Sequence, residues 1–159
     1  MRTHLLPRLT SVAMLCGAMF GLLGCSNAPE GPKTVSITGK ITKDGQPLTI
    51  SPASEASKIG RIDATFYPYT EEKGKIVEPY AALYNSKDGT FTLDQPLPPG
   101  KYRLAVQLWD PYPQKDLLKG GYTRENSPIT VEIQGGESID IDLSKYPPGK
   151  PAGKKPPGT

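Results

Sequence analysis

Leu97-Pro98-Pro99-Gly100-Lys101-Tyr102 leads directly into Arg103-Leu104-Ala105-Val106-Gln107-Leu108, and this stretch decides the fold. The first six residues have the Leu-x-Pro-Gly-x-Tyr spacing of a tyrosine corner, in which a phenol early in a strand bonds back to the turn backbone and clamps a Greek-key crossover. Tyr102, Leu104, Val106 and Leu108 then alternate with polar or small residues, the two-residue period of a half-buried strand. Leu97, Pro99, Gly100 and Tyr102 therefore read as one structural unit, with Tyr102 serving the fold and not a ligand.

The same period recurs on both sides. Val35, Ile37, Gly39 and Ile41 alternate with Ser36, Thr38, Lys40 and Thr42. Apolar residues return at every second position in Ile62, Ala64 and Phe66; Tyr80, Ala82 and Tyr84; Phe91 and Leu93; Ile129, Val131 and Ile133; and Ile139, Ile141 and Leu143. Lys43-Asp44-Gly45, Lys87-Asp88-Gly89 and Gly135-Gly136 supply turn chemistry between these runs, and Pro47-Leu48 restarts an extended path after the first. No amphipathic helix pattern competes. The reading is all-β, a Greek-key β-sandwich of about seven strands.

Four strings carry a family resemblance in order: Ile37-Thr38-Gly39-Lys40-Ile41-Thr42-Lys43-Asp44-Gly45-Gln46-Pro47-Leu48, Thr65-Phe66-Tyr67-Pro68, Ser86-Lys87-Asp88-Gly89-Thr90-Phe91-Thr92-Leu93, and the stretch quoted first. Together they resemble carboxypeptidase regulatory-like domains over most of residues 35–106. The resemblance implies a transthyretin-like (prealbumin-like) sandwich with an accessory or binding role and brings no catalytic residues with it. The chain departs from the family pattern twice, in a longer link at 49–61 and in a long connection at 109–128.

Leu22-Leu23-Gly24-Cys25 closes an apolar run that begins near Leu5; Arg2 and Arg8 make the n-region and Val12 to Leu23 is apolar, the layout of a secretory signal. The run is shorter than the ~20 apolar residues that cross a bilayer. Its last four residues resemble the lipobox of bacterial lipoproteins, which implies a lipid thioether on Cys25 and cleavage after Gly24. Two or three fatty acyl (palmitate-type) chains would make the membrane anchor essentially permanent. An ordinary cleaved signal with an incidental cysteine is the alternative. Ser26 resembles the residue found where a lipoprotein is not retained in the inner membrane, so the outer membrane of a cell envelope is the expected location.

Cleavage would remove Cys16 and the sole histidine, His4, with the signal. With Cys25 acylated, the mature chain would hold no thiol and no imidazole, which argues against an enzyme and against a thiolate or histidine metal site. The expectation is no enzyme, no cofactor and no metal. The formal charge of +3 falls to +1 without Arg2 and Arg8, and setting aside the four lysines from Lys145 onward leaves the body at −3. Such a body is not a nucleic-acid binder.

Candidate chemistry concentrates in 109–128, because connections beyond ~12–15 residues are commonly functional. Trp109, Asp110, Tyr112, Tyr122 and Arg124 together offer rings and hydrogen-bonding groups for a sugar ring or an extended peptide. The competing reading makes the rings a local minicore over Leu117 and Leu118. Asp140 and Asp142 share one face of a strand and read as a solvated face, since Ca²⁺ wants six to eight oxygens that this neighbourhood does not supply. A crosslink from Lys40 or Lys43 to either aspartate would need burial that neither lysine's position offers.

The expected organisation is therefore a lipoprotein signal peptide at 1–24, a lipidated tether at 25–33, the β-sandwich at 34–146 and a disordered Pro/Gly/Lys-rich tail at 147–159. The expected function is a lipid-anchored structural or protein-interaction module meeting an envelope protein or glycan partner. A carbohydrate- or peptide-binding accessory protein using 109–128 is the alternative.

Overall fold

The computed structural model describes residues 33–70 and 77–150; the signal, Cys25, the tether through residue 32 and the tail beyond Lys150 lie outside the described residues. Eight strands follow in order: β1 (Thr38–Lys43), β2 (Gln46–Pro47), β3 (Arg61–Pro68), β4 (Tyr80–Tyr84), β5 (Thr90–Leu93), β6 (Gly100–Trp109), β7 (Thr130–Ile133) and β8 (Ser138–Asp142). Each of the seven alternating runs contains a strand. The eighth is the two-residue β2, joined to β1 by Asp44 and Gly45, both at positive φ (55° and 74°), as a two-residue hairpin turn demands.

The strands form a curled, sandwich-like sheet paired in the order β2-β1-β5-β4-β3-β6-β7, with β8 alongside β1. β3, β4 and β5 make a meander, and β6 returns to lie beside β3. That is the four-strand Greek key. Every pairing is antiparallel except β1 with β8, which is parallel from Thr38↔Ser138 to Thr42↔Asp142. The curl brings Phe66 of β3 against Phe91 of β5 at 5.6 Å between ring centres, and Ile37, Ile41, Leu104, Val106, Ile133 and Ile141 fill the core around them.

Three tyrosine hydroxyls close the places where the chain crosses between strands. Tyr102 donates to the Pro98 carbonyl at 2.6 Å, across the β5–β6 crossover. Tyr84 accepts from the Leu48 amide at 2.7 Å and donates to the Ile41 carbonyl at 3.0 Å, tying the end of β1 to the chain leaving β2. Tyr122 reaches the Leu143 and Tyr146 carbonyls at 3.0 and 2.7 Å, around the short 3-10 turn Leu143–Lys145 that follows β8.

Two local expectations are corrected. A short helix, α1 (Pro52–Ala56), occupies the long link after β2, where the sequence shows no helix pattern. Five residues carry no 3.6-residue period; what forms the helix is Ser51 as N-cap, accepting from the Ser54 amide, with Pro52 in the first turn. The expected tail also starts later than 147, because the Gly149 amide donates to the Gly121 carbonyl at 2.9 Å and the chain there lies flat on residues 121–126.

The register fixes two ends. Val35 bridges Leu97 at the end where β6 begins, so the described chain comes in there, while β1, β3, β6 and β8 place 43–60, 109–128 and 143–150 at the other end.

Removing the Tyr102 hydroxyl leaves the Pro98 carbonyl without its donor, so Tyr102→Phe should lower unfolding free energy by about 1–2 kcal/mol with unchanged far-ultraviolet circular dichroism. Gly39 faces a harder limit: a Cβ there would sit 2.0 Å from the Ile139 carbonyl oxygen. Gly39→Ala should therefore push β8 off β1 and lower the urea midpoint more than Tyr102→Phe does; an equal or smaller loss would contradict the parallel pairing.

Candidate functional site

The long links at 49–61 and 109–128 pack on each other. Asp110, just past β6, accepts from the Ser51 amide at 2.7 Å and the Ser51 hydroxyl at 3.0 Å, and also from the Ser54 hydroxyl. Its carboxylate thus docks onto the start of α1, and those bonds, the Ser54 hydroxyl first, hold its pKa below the ordinary aspartate value. The Tyr112 amide donates to the Ile59 carbonyl at 2.6 Å, a second tie between the same segments. Asp110 is therefore a structural group that ties the end of β6 to α1.

Trp109 and Tyr112 meet edge to face at 5.6 Å between centroids, and the Arg61 guanidinium lies 5.0 Å from the Tyr112 ring centre. Arg61 and Trp109 are register partners on β3 and β6, and Arg61 is also bonded through Nε to Asp63. Tyr112 is 46% exposed and Trp109 half-buried, so this cluster is open to solvent.

Tyr122 and Arg124 are not part of it. Tyr122 is only 5% exposed, its hydroxyl is bonded to backbone, and burial pushes its pKa up. The side chain belongs to the core, which removes it from the expected binding surface. Arg124 lies over the Tyr67 ring at 5.1 Å, while its carbonyl accepts from Arg103 Nη1 at 3.3 Å. The five candidates therefore split into an exposed pair, a helix tie, a core tyrosine and a face arginine. Sequence spacing could not separate them, because a tyrosine in an irregular segment shows no period that reports its burial. Of the two leucines expected beneath the rings, Leu118 is buried and Leu117 is exposed. Asp116 organises this loop, accepting from the amides of Leu108, Leu118 and Gly120.

Asp140 and Asp142 line a shallow groove with Lys40, Thr42 and Lys145. They are more than a solvated face. Asp140 accepts from the Lys40 amide at 3.1 Å, and Asp142 accepts from the amides of Asp44, Gly45 and Ser144 and from the Ser144 hydroxyl at 2.6 Å. These bonds tie the β1–β2 turn to the end of β8. Lys40 and Asp140 are register partners, yet both are exposed, so the buried setting for a crosslink is missing. Among the described residues no group of three His, Cys, Asp or Glu side chains is placed to hold a metal ion.

No protein-family model matches the chain, and no curated protein matches it. Among solved structures it is similar to a DUF3823 family protein from Parabacteroides merdae, at 22% identity and a TM-score of 0.41, over 74% of this chain and 48% of that one. The chain thus spans about half the length of that structure, and the likeness carries no function across.

Among the described residues, four carboxyls have pKa values below the ordinary ones because they accept hydrogen bonds: Asp142 from Ser144 foremost, Asp110 from Ser54, Asp88 from Thr90 and Glu137 from the Gln134 amide. A carboxyl whose folded-state pKa is depressed stabilises the fold above its unfolded value, and that contribution is lost as pH falls through the folded value. The fold should therefore weaken below about pH 4. Urea midpoints check this: the midpoint should be lower at pH 3 than at pH 7, and Asp142→Asn should lower the pH 7 midpoint while narrowing the difference. Equal midpoints at the two pH values would contradict it.

Proposed function

We propose that this chain is a lipid-anchored, non-enzymatic β-sandwich of a bacterial cell envelope, serving as a structural or interaction module at the membrane surface. The observation that carries the reading is the string Leu22-Leu23-Gly24-Cys25, with the paired fold beginning ten residues later at Val35. Cys25 is the site of the lipid thioether and 1–24 the cleaved signal in this reading. Ser26 favours the outer membrane. No helix among the described residues is long and apolar enough to cross a membrane.

The strand connectivity supports the finer assignment to carboxypeptidase regulatory-like, transthyretin-like domains. β1 pairs with β5 and β8 on one side of the curl, and β4-β3-β6-β7 forms the other. A module reading also agrees with the polar groups: Asp110, Asp116, Asp142, Tyr84, Tyr102 and Tyr122 are all bonded to backbone and hold loops in place. A glycan- or peptide-binding role would have to rest on Trp109, Tyr112 and Arg61, since Tyr122 is buried and Asp110 docks α1.

Detergent phase partitioning tests the anchor. The parent chain expressed in a bacterium should enter the detergent phase and take up a fatty-acid label, and Cys25→Ser should lose the label. Undiminished labelling of Cys25→Ser would overturn the assignment.

A further inference from the structure

The tripeptide Pro-Pro-Gly occurs twice in the C-terminal stretch, as Pro147-Pro148-Gly149 and as Pro156-Pro157-Gly158. The first copy is seated on the 109–128 connection. The Gly149 amide donates to the Gly121 carbonyl at 2.9 Å, a Cβ on Gly121 would run into Pro148, and one on Gly149 would run into the Asn126 carbonyl. Two glycines thus let the stretch lie directly on the loop backbone, and the chain leaves this seat at Lys150 with the second copy still ahead of it.

The same connection carries the exposed rings. Trp109 and Tyr112 meet at 85°, Tyr112 is 46% exposed, and Ile59, whose carbonyl takes the Tyr112 amide, is 47% exposed. Asp110 fastens this patch to α1 through Ser51, and Asp116 fastens the returning strand of the loop, so the rings stand on a braced support. Arg61 rests on one ring and is held by Asp63. Charges around the patch are paired off further: Lys115 lies near enough to Asp110 to help hold its carboxyl ionised, and Glu55 and Lys58 adjoin at the end of α1. An uncharged apolar occupant suits such a surface better than a polyion.

Proline-rich segments dock on aromatic-lined surfaces because they are apolar and lose little conformational freedom on binding. The second Pro-Pro-Gly has that chemistry and is tethered close by. Gly121 adjoins Gly120, whose amide donates to Asp116 at 2.9 Å, and Asp116 is the bridge partner of Trp109. At about 4–6 Å per step, the path from Gly149 to Trp109 is no longer than about 20 Å. The seven residues from Lys150 to Pro156 span about 22 Å as polyproline II at ~3.1 Å each. A segment tethered at that range is present at an effective concentration of order millimolar, which a free peptide or glycan seldom reaches.

We propose that Pro156-Pro157-Gly158 docks on the patch of Trp109, Tyr112 and Ile59, so that the C-terminal stretch straps the 109–128 connection at two seats. The strap occupies the rings on which a glycan- or peptide-binding role would have to rest, and an outside ligand must displace it. The inference is independent of the lipid anchor.

Trp109 is the only tryptophan in the chain and reports directly on the second seat. In the purified full chain, Pro156→Ser with Pro157→Ser should raise acrylamide quenching of Trp109 by about twofold or more, with unchanged circular dichroism, because the tethered ligand is lost. About 0.5 M salt should leave the parent's quenching unchanged, since the contact is apolar. From the side of the strap, Tyr112→Ala keeps the backbone tie to Ile59, and it should speed cleavage by a lysine-specific protease between Lys154 and Lys155 about threefold or more, as the open population rises.

A parent as quenchable as the double proline variant would overturn the proposal, as would a cleavage rate blind to Tyr112→Ala. Quenching that rises in salt would assign the hold to Lys154 and Lys155 and not to the rings. Protection of Trp109 that grows with protein concentration would make the occupant a second copy. Either result refutes the strap on the rings.

Discussion

The parallel pairing of Thr38–Lys43 with Ser138–Asp142 joins residues a hundred positions apart, and all the other strands lie between these two in the sequence. Such contacts form only after the intervening loop closes, so nothing local can stand in for them. Gly39 permits the pairing, since the Ile139 carbonyl occupies the space a side chain would need. Asp142 then locks its end through the amides of Asp44 and Gly45. The cost of ordering the chain is offset by a continuous core from Ile37 to Leu143, where Phe66 and Phe91 touch across the curl.

Polar groups in this fold mainly position backbone. Tyr84, Tyr102 and Tyr122 each bring a hydroxyl to a chain crossing, and Asp110, Asp116 and Asp142 each gather two or more donors at a loop. Among the described residues, the outer face of β3 and β6 carries rings with cations laid over them, Arg103 on Tyr69 and Arg124 on Tyr67.

Much of this was legible in the chain because β-structure writes its period into the residues. Tyr102, Leu104, Val106 and Leu108 alternate, and all four are buried on one side of β6. Asp44-Gly45 and Pro98-Pro99-Gly100 announce their turns because positive φ and fixed φ restrict residue choice. Hidden were the features set by tertiary contact. α1 depends on Asp110, 59 positions from Ser51, and five residues show no period. Tyr122 and Tyr112 are chemically alike in the sequence, yet one is in the core and the other is in solvent. These ring contacts were invisible for the same reason, since Arg124 meets Tyr67 only once 109–128 has folded back along β6.

The central functional claim is the proposed lipid anchor at Cys25, ten residues before the described chain enters the paired fold at Val35, beside Leu97. Intact-mass spectrometry of the protein purified from membranes of the cells that make it tests this most directly. The account predicts a chain that begins at Cys25 and exceeds the mass of residues 25–159 by a diacylglyceryl group, with or without a further acyl chain. A mature chain that starts elsewhere, or one carrying Cys25 as a free thiol, would contradict it.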